Sequence, residues 1–187
     1  GILPGQFAEV QVSNSTTTYL RRPFSIYDTD FEKNELSLLI KKVGNGTAAL
    51  SKLNEGDVLN LVYPLGNSFS MPAGEKALLV GGGVGIAPML LLAKLLHSKG
   101  YKPDVLIGGR TAGDIIEPEK YKPYGKVFIT TDDGSAGEKG MVTQHSLFAE
   151  DIKSYSAIYA CGPDPMMKAV GRIAATHDIA CEISLEN

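Results

Sequence analysis

The feature that most constrains the fold is an apolar run from Ala77 to Leu96 that four glycines and Pro88 interrupt. A membrane-spanning helix needs about 20 consecutive apolar residues, whereas here the glycines end the first apolar run after Val80. The run therefore predicts a buried strand, a tight turn and a helix that begins near Pro88 and is closed by Gly100. We expect neither a membrane span nor membrane contact.

The glycine turn has the chemistry of a nucleotide-phosphate loop, carried by Gly82, Gly83, Val84 and Gly85. Glycines let the backbone approach a pyrophosphate without a Cβ clash, and the following helix directs its free N–H groups and positive end toward the phosphates. The run departs from the Gly-x-Gly-x-x-Gly fingerprint because Pro88 stands where the third glycine would be. A tight turn that binds no ligand is the alternative interpretation.

The chain changes character at residues 71–74, and before this point short apolar runs alternate with turn residues. This pattern is typical of a small antiparallel β-barrel, which we expect over residues 1–73. The predicted strands are Phe7–Val12, Phe24–Tyr27, Leu36–Val43 and Val58–Tyr63, and the predicted turns lie at Asn14-Ser15, Asp28-Thr29-Asp30, Gly44-Asn45-Gly46 and Glu55-Gly56-Asp57.

After the break, short β-type runs alternate with helical patterns. Parallel strands need crossover connections, so this alternation predicts a doubly wound parallel α/β sheet over residues 74–187. The predicted strands are Ala77–Val80, Val105–Ile107, Val127–Thr130, Ile158–Ala160 and Ile179–Ile183, and the predicted helices are Pro88–Ser98, Asp114–Lys120, Val142–Asp151 and Pro165–His177.

Charged side chains follow the second and third strands of this predicted sheet, where doubly wound folds bind their ligands. Arg110 follows the second strand, and Asp132 and Asp133 follow the third. A carboxylate there can accept from the ribose hydroxyls of NAD and repels an added 2′-phosphate, so the pair predicts a preference for NADH. Arg110 opposes that preference if it turns toward the ribose. For the two aspartates, a solvated Asp-Gly turn is the alternative.

The fourth strand ends at Cys161, Gly162 and Pro163. A small polarizable thiol beside a glycine can line a nicotinamide ring without blocking its face, although a buried structural cysteine is the alternative. Hydride transfer between two cofactors needs no general base, so we predict no catalytic side chain. The three histidines, His97, His145 and His177, are interpreted as surface or structural residues.

The segment Arg21-Arg22-Pro23-Phe24-Ser25 lies in the β-rich first third and has the chemistry of a phosphate clamp. A guanidinium is a planar fork of donors that matches phosphate oxygens, and the serine adds a hydroxyl. On its own, such a segment is more often a surface arginine pair before a strand. Because the glycine turn follows later in the chain, we favour a flavin site here and electron transfer between two cofactors.

Composition argues against several functions. The net charge of −3 and the pI near 5.6 provide no basic surface for nucleic acid. Two cysteines, Cys161 and Cys181, make no disulfide framework and cannot ligate a metal cluster unaided, which favours a reducing cytoplasm and no metal site within residues 1–187. No signal peptide is recognisable at the N-terminus.

Together these motifs resemble the ferredoxin reductase-like family of flavoproteins, in which a barrel binds FAD and a nucleotide domain brings the nicotinamide to it. The resemblance covers nearly the whole chain. Within that family, four segments are most similar to the electron-transfer subunits of type B, NAD-linked dihydroorotate dehydrogenases: Arg22-Pro23-Phe24-Ser25, Leu39-Ile40-Lys41, Gly46-Thr47 and Pro64-Leu65-Gly66-Asn67. The resemblance implies that FAD is contacted by Arg22, Pro23, Phe24, Ser25, Leu39, Ile40, Lys41, Gly46 and Thr47.

The closing segment Cys181–Asn187 is similar to the one that precedes a cysteine-rich [2Fe-2S] loop in such subunits. That loop is not in this sequence, and the family's barrel has a further strand before Pro4, so the resemblance implies a longer natural chain. It also implies a role in pyrimidine biosynthesis and a heterotetramer with an FMN-containing dihydroorotate dehydrogenase catalytic subunit.

Three other functions fit the same motifs. One is the small subunit of a ferredoxin:NADP reductase or sulfide dehydrogenase, and another is a free-standing reductase that supplies a haem or oxygenase domain. The third is a non-catalytic nucleotide-binding module, since a fold does not fix a function.

Overall fold

A computed structural model describes residues 1–13 and 18–185. It contains two β-sheets that follow one another along the chain. The predicted turn at Asn14-Ser15 and the last two residues of the closing segment lie outside the described residues. No helix in the described part is long and apolar enough to cross a membrane.

The first sheet is antiparallel, with the strand order β3-β2-β1-β4. All four predicted strands are confirmed in position, although β3 ends well before Val43. A short helix, α1, replaces the predicted turn at Gly44-Asn45-Gly46, because the Thr47 hydroxyl accepts the N–H groups of Val43 and Gly44 and so caps a helical turn. The elements are β1 (Phe7–Val10), β2 (Arg22–Asp30), β3 (Glu35–Leu38), α1 (Asn45–Leu50) and β4 (Leu61–Leu65).

The second sheet is parallel, with the strand order β10-β9-β5-β6-β7-β8. The predicted fold class is therefore confirmed: a small antiparallel unit is followed by a doubly wound α/β unit. Its strands are β5 (Lys76–Gly82), β6 (Lys102–Gly109), β7 (Val127–Thr131), β8 (Glu138–Lys139), β9 (Ala157–Cys161) and β10 (Ala180–Ser184), and its helices are α2 (Ala87–Ser98), α3 (Leu147–Glu150) and α4 (Asp164–Thr176).

The apolar run that opens this sheet is its central strand. The residues from Ala77 to Val80 are fully buried, because α2 covers one face of β5 and α3 and α4 cover the other. From β5 the chain crosses through α2 to β6 on one side, and from β9 it crosses through α4 to β10 on the other. The carboxyl ends of β5 and β9 therefore form the switch point, where such sheets bind ligands.

Helices α2 and α4 confirm two of the four predicted helices, and the predicted helix over Asp114–Lys120 is wrong. Two 3-10 turns stand there, Ala112–Asp114 and Pro118–Lys120. Between them Glu117 adopts a left-handed backbone conformation, with φ 43°, which no α-helix can contain.

The predicted helix over Val142–Asp151 is also wrong as a continuous helix. It is reduced to a 3-10 turn at Val142–Gln144 and to α3. The reason is His145, whose ψ of 137° is extended and separates the two pieces. The His145 ring is buried, and its Nδ1 accepts the N–H of Leu147.

Candidate functional site

The glycine turn packs tightly against the end of β9. A Cβ atom at Gly85 would lie 2.5 Å from the Cys161 carbonyl oxygen and from Gly162 Cα. A Cβ atom at Gly82 would lie 2.6 Å from Met166 Sδ. The backbone around Gly85 excludes a side chain there, whereas a side chain at Gly82 would have to displace Met166, so the two strand ends form one compact edge.

Gly83 differs from these two glycines because it faces open space. Its φ is 55°, and a Cβ atom there would meet no atom within 4 Å. This is the place where the backbone of the turn is accessible, as the approach of a nucleotide phosphate requires. The glycine turn therefore fits the nucleotide that the sequence predicts for it.

A cleft of about 220 Å³ lies between the glycine turn and the antiparallel sheet. It brings together two segments that the sequence assigns to different cofactors, Leu39–Lys41 and Gly83–Val84. The third wall is the segment after β6. The Lys41 ammonium lies 3.1 Å from Asp114 Oδ1, so one ion pair bridges the walls. The lining residues are Leu39, Ile40, Lys41, Gly83, Val84, Gly113, Asp114 and Ile116.

Asp114 is a cleft residue that the sequence prediction missed. Its carboxylate accepts the N–H groups of Arg110 and Thr111 at 3.2 and 3.3 Å, in addition to its bond with Lys41. The hydrogen bond from Lys41 is the main reason that the pKa of Asp114 is lowered, with further contributions from Thr111 and Arg110. The sequence signal that could have identified Asp114 is its spacing from Thr111, since Thr-x-x-Asp is typical of a capping box.

The two consecutive arginines have different environments. Arg21 donates to Asn60 Oδ1 at 2.7 Å and to the Asn60 carbonyl oxygen at 3.1 Å, so it joins the segments that directly precede β2 and β4. Arg22 is exposed and forms no ion pair with a carboxylate of the described residues. A Cβ atom at Gly46 would lie 3.4 Å from Arg22 Nε. An unpaired guanidinium beside a glycine backbone fits a phosphate group, as the FAD prediction requires.

The other residues predicted to contact FAD divide by exposure. Pro23 and Phe24 are half-buried at the start of β2, and Ser25 is buried. The Thr47 hydroxyl is engaged within its own turn, where it also donates to the Gly44 carbonyl oxygen at 3.1 Å. A cofactor at Gly46 and Thr47 would therefore meet the backbone of α1 and not this hydroxyl.

Arg110, Asp132 and Asp133 lie side by side at the ends of β6 and β7, as predicted from neighbouring strands. The N–H of Asp133 donates to the Arg110 carbonyl oxygen at 3.2 Å. Asp133 Oδ1 accepts from the backbone N–H and the hydroxyl of Ser135 at 2.9 and 2.6 Å, and the hydroxyl bond is the main reason that its pKa is lowered. Asp133 thus holds its own turn, and the Asp132 side chain is exposed beside it.

Cys161 lies in the core and not on the cleft surface. Its side chain is 1% exposed and belongs to the cluster that contains Ile86 and Tyr159. Gly162 is half-buried and Pro163 is the exposed residue of this strand end. In the ranges 1–13 and 18–185, no group of three or more His, Cys, Asp and Glu side chains is placed to hold a metal ion.

Two family models match the chain, one on each structural unit. The oxidoreductase FAD-binding domain matches residues 1–69, and the oxidoreductase NAD-binding domain matches residues 79–172. The dihydroorotate dehydrogenase B (NAD(+)) electron transfer subunit of Caldanaerobacter subterraneus subsp. tengcongensis is 41% identical over 183 residues, which cover 98% of this chain and 70% of that protein. The chain belongs to this family of electron transfer subunits.

Other members of the family are similarly related. The electron transfer subunit of Bacillus caldolyticus is 38% identical over 170 residues, and the match covers 89% of this chain. This chain spans 65% of that relative's length. The chain itself carries an FAD-binding and an NAD-binding oxidoreductase domain.

Solved structures agree with the fold. The NADH-dependent reduced ferredoxin-NADP oxidoreductase is 34% identical, with a TM-score of 0.85 over 98% of this chain and 66% of that one. The ferredoxin reductase in carbazole 1,9a-dioxygenase is 23% identical, with a TM-score of 0.82 over 100% of this chain and 61% of that one, and it shares the fold.

In this family member, the two units also meet through polar side chains that the sequence prediction missed. Lys94 of α2 lies 2.6 Å from Asp28 Oδ1 of β2. Glu182 of β10 accepts the N–H of Ser70 at 3.0 Å, and it also accepts the Ser70 hydroxyl. The Tyr159 hydroxyl donates to the Ser70 carbonyl oxygen at 2.8 Å. These contacts depend on tertiary structure, and no local sequence pattern marks them.

Proposed function

We propose that this chain passes electrons between NAD(H), FAD and a [2Fe-2S] cluster, and thereby serves a dihydroorotate dehydrogenase catalytic subunit in pyrimidine biosynthesis. The observation that carries the proposal is the cleft in which Leu39–Lys41 faces Gly83–Val84. The first segment is predicted to contact FAD and the second to contact NADH. Electron transfer between two cofactors requires that their sites adjoin, and these segments do so.

The first unit would hold the flavin. Arg22 and the backbone at Gly46 are the proposed pyrophosphate ligands, because a guanidinium makes charge-assisted hydrogen bonds to phosphate oxygens. When bound, a flavin accepts a hydride from NADH and can release the electrons one at a time. The remaining proposed contacts are Pro23, Phe24, Ser25, Leu39, Ile40, Lys41 and Thr47.

The second unit would hold the dinucleotide across the switch point. Gly83 would offer an open backbone to the phosphates, and the exposed Asp132 carboxylate would accept from the adenosine ribose. Cys161 supports this edge from the core beneath the turn. The remaining proposed contacts are Gly82, Val84, Gly85, Arg110, Asp133, Gly162 and Pro163.

The cleft itself would position the two cofactors relative to each other and exclude water from between them. Leu39, Ile40, Val84 and Ile116 give the walls an apolar character, and a dry cleft protects a hydride in transfer. Holding two reactants in a fixed geometry removes much of the entropic barrier without a general base. No side chain of the cleft is therefore assigned a proton-transfer role.

Onward transfer would need groups outside these 187 residues. A [2Fe-2S] centre needs four ligands, usually thiolates, and the sequence holds two cysteines. We therefore assign the cluster to another part of a longer protein, and we assign the substrate to an FMN-containing partner subunit. The proposed domains are residues 1–73 for FAD and 74–187 for NAD, which the matched ranges 1–69 and 79–172 support. A cytoplasmic location agrees with Cys161 and Cys181, neither of which forms a disulfide in the described part of the chain.

The test is anaerobic reduction of the flavin in the full-length protein, followed by orotate reduction with the catalytic subunit present. We expect NADH to bleach the flavin and to support orotate reduction. A version that ends at Asn187 should still be bleached by NADH but should not sustain orotate reduction. Sustained turnover by the shorter version would contradict the proposed route, and no bleaching of the flavin-loaded full-length protein would contradict the function.

A second candidate is the small subunit of a ferredoxin-NADP oxidoreductase, which the 34% identity and TM-score of 0.85 favour. The two candidates differ in the electron acceptor. Reduction of ferredoxin by the NADH-treated full-length protein, with no orotate reduction alongside the dihydroorotate dehydrogenase subunit, would select this alternative.

A further inference from the structure

A hydrogen bond between the two units lies close to the cleft. Tyr27 is on β2, two residues after Ser25, and its side chain is 4% exposed. Its hydroxyl donates to Glu117 Oε2 at 2.6 Å. Glu117 follows Ile116 of the cleft wall, so this bond joins the strand of the proposed flavin site to that wall. Neither Tyr27 nor Glu117 lines the cleft itself.

Glu117 is held in an unusual conformation that serves this contact. Its φ of 43° and ψ of 49° are left-handed, and Pro118 follows it. A glutamate is rare in that region, and a residue before proline is normally extended. The Lys120 ammonium lies 3.0 Å from Glu117 Oε2 and 5.1 Å from the centroid of the Tyr27 ring. The Tyr27 hydroxyl and the Lys120 ammonium thus hold the Glu117 carboxylate between the units.

The same segment is bound to the glycine turn at its other end. Tyr121 is fully buried, and its hydroxyl donates to the Ile86 carbonyl oxygen at 3.1 Å. Ile86 ends the 3-10 turn Gly83–Ile86, immediately before α2. Residues 117–121 therefore connect β2 to the backbone of the proposed nucleotide site.

We propose that Tyr27 and Glu117 are positioning residues that fix the glycine turn relative to the strand of the flavin site. The proposal rests on the proposed function of the cleft. They act through Tyr121 and Ile86 and do not touch either cofactor. The reaction they serve moves one proton and two electrons from NADH to the flavin as a hydride and leaves NAD⁺. Its rate depends steeply on the distance between donor and acceptor.

The test compares Tyr27→Phe and Glu117→Gln with wild type in the full-length, flavin-loaded protein. We expect the rate constant of flavin reduction at saturating NADH to fall by about tenfold or more in both variants, because a small displacement of reacting groups costs rate steeply. The Kd for NADH, taken from the concentration dependence, should change by less than about twofold, since the binding groups are untouched. Backbone amide exchange at residues 83–86 should become faster.

The chain offers a matched control in Tyr155→Phe. Tyr155 is also buried, and its hydroxyl donates to Asp104 Oδ2 at 2.9 Å, near the amino ends of the parallel strands. This variant loses a comparable bond far from the cleft and should keep the wild-type rate of reduction and the wild-type exchange at residues 83–86. Equal slowing in Tyr155→Phe and Tyr27→Phe would overturn the proposal, because general destabilisation would then explain both.

Tyr27→Phe changes a buried residue and could impair folding. Glu117→Gln tests the same hydrogen bond at a side chain that is 46% exposed, so its result does not depend on the folding of Tyr27→Phe. Wild-type rate and wild-type amide exchange in Glu117→Gln would overturn the positioning role. Failure of NADH to reduce the wild-type flavin would count against the proposed function instead, because amide exchange reports the coupling without any NADH.

Discussion

Neighbouring side chains of the same type have separate roles in this chain. Arg21 forms hydrogen bonds with Asn60 inside the first unit, whereas Arg22 is exposed beside Gly46. Asp133 holds a turn through Ser135, whereas the Asp132 side chain is exposed. The contacts of each residue, and not its type, therefore separate a structural role from a ligand-binding one.

Replacing Arg22 should weaken FAD binding. In Arg22→Gln we expect FAD affinity to fall on the order of tenfold or more, because a hydrogen bond to a charged group is worth about 1.5–3 kcal/mol. The measurement is the ratio of FAD to protein after gel filtration of the full-length variant. The control is Lys33→Gln, which removes an exposed cation 3.3 Å from Asp30 on the same sheet. Equal FAD retention in the two variants would contradict the role of Arg22.

Replacing Asp132 should reduce the preference for NADH. In Asp132→Asn we expect the NADH to NADPH ratio of flavin reduction rates to fall by roughly tenfold, because the carboxylate no longer repels a 2′-phosphate. Stopped-flow bleaching with each nucleotide gives the ratio. In Asp133→Asn the ratio should change less, since that side chain serves its turn. A larger fall of this ratio in Asp133→Asn than in Asp132→Asn would contradict the prediction and would assign the ribose contact to Asp133.

At the scale of elements, the sequence predicted those whose signal is local. Strand β5 was predictable because burial on both faces requires a continuous apolar run. Helix α1 was missed because Gly44 and Gly46 suggest a turn, while the Thr47 cap that starts the helix is visible only in the fold. Strand β8 was missed because its two residues pair with β7 through tertiary contacts.

The candidate site was predictable to a similar extent. Glycine chemistry predicted the wall at Gly83–Val84, and the family resemblance predicted Leu39–Lys41. The third wall, at residues 113–116, was missed because the residue pattern of Asp114–Lys120 resembles that of a weak helix, whereas the segment forms two separate 3-10 turns. Glu117 breaks that segment with its left-handed backbone, which the sequence Glu-Pro indicates only in part.

Two glycines in helical surroundings should respond to alanine in opposite directions. Gly171 lies inside α4, where an added Cβ would make an ordinary contact of 3.7 Å with Ile183, so Gly171→Ala should stabilise the protein by about 0.5–1 kcal/mol. Gly85→Ala should destabilise it, because its Cβ would lie 2.5 Å from backbone atoms. Thermal unfolding measures both, and a lower Tm in Gly171→Ala would show that the helix depends on glycine there.

At the scale of the whole molecule, carboxylates hold the two units together. Asp114, Glu117 and Glu182 of the second unit accept from Lys41, from Tyr27 and from Ser70 in the connecting segment, and Asp28 of the first unit accepts from Lys94. A hydrogen bond with one ionised partner is stronger than a neutral one. The interface therefore depends on carboxylates that remain ionised.

Acid should loosen this interface. Hydrogen bonds from Lys41 to Asp114 and from Tyr27 to Glu117 lower the pKa of each acid. A lowered pKa in the folded state contributes stability above the unfolded values, about 3.9 for Asp and 4.3 for Glu, and this stability is lost as the pH falls through the folded values. Amide exchange in residues 25–28 and 115–121, measured from pH 7 downward after correction for intrinsic rates, should rise in that acid range.

The matched variants for this pH series are Asp114→Asn and Asp164→Asn. Asp164 pairs with Lys168 on the surface of α4, away from the interface. Asp114→Asn should reduce the acid dependence of exchange in residues 115–121, and Asp164→Asn should leave it unchanged. An identical acid dependence in all three proteins would exclude Asp114 from the interface effect.

Residues 66–75 are the covalent link between the two sheets, so this link is a natural crossover point for chimeric proteins. The contacts across the interface restrict such exchanges. A first half taken from another protein would have to bring counterparts of Tyr27, Asp28 and Lys41 for the Glu117, Lys94 and Asp114 of this second half. The success of a chimera should therefore depend on three matched residue pairs across the interface. Chimeras in a screen can be ranked by how many of these three pairs they keep.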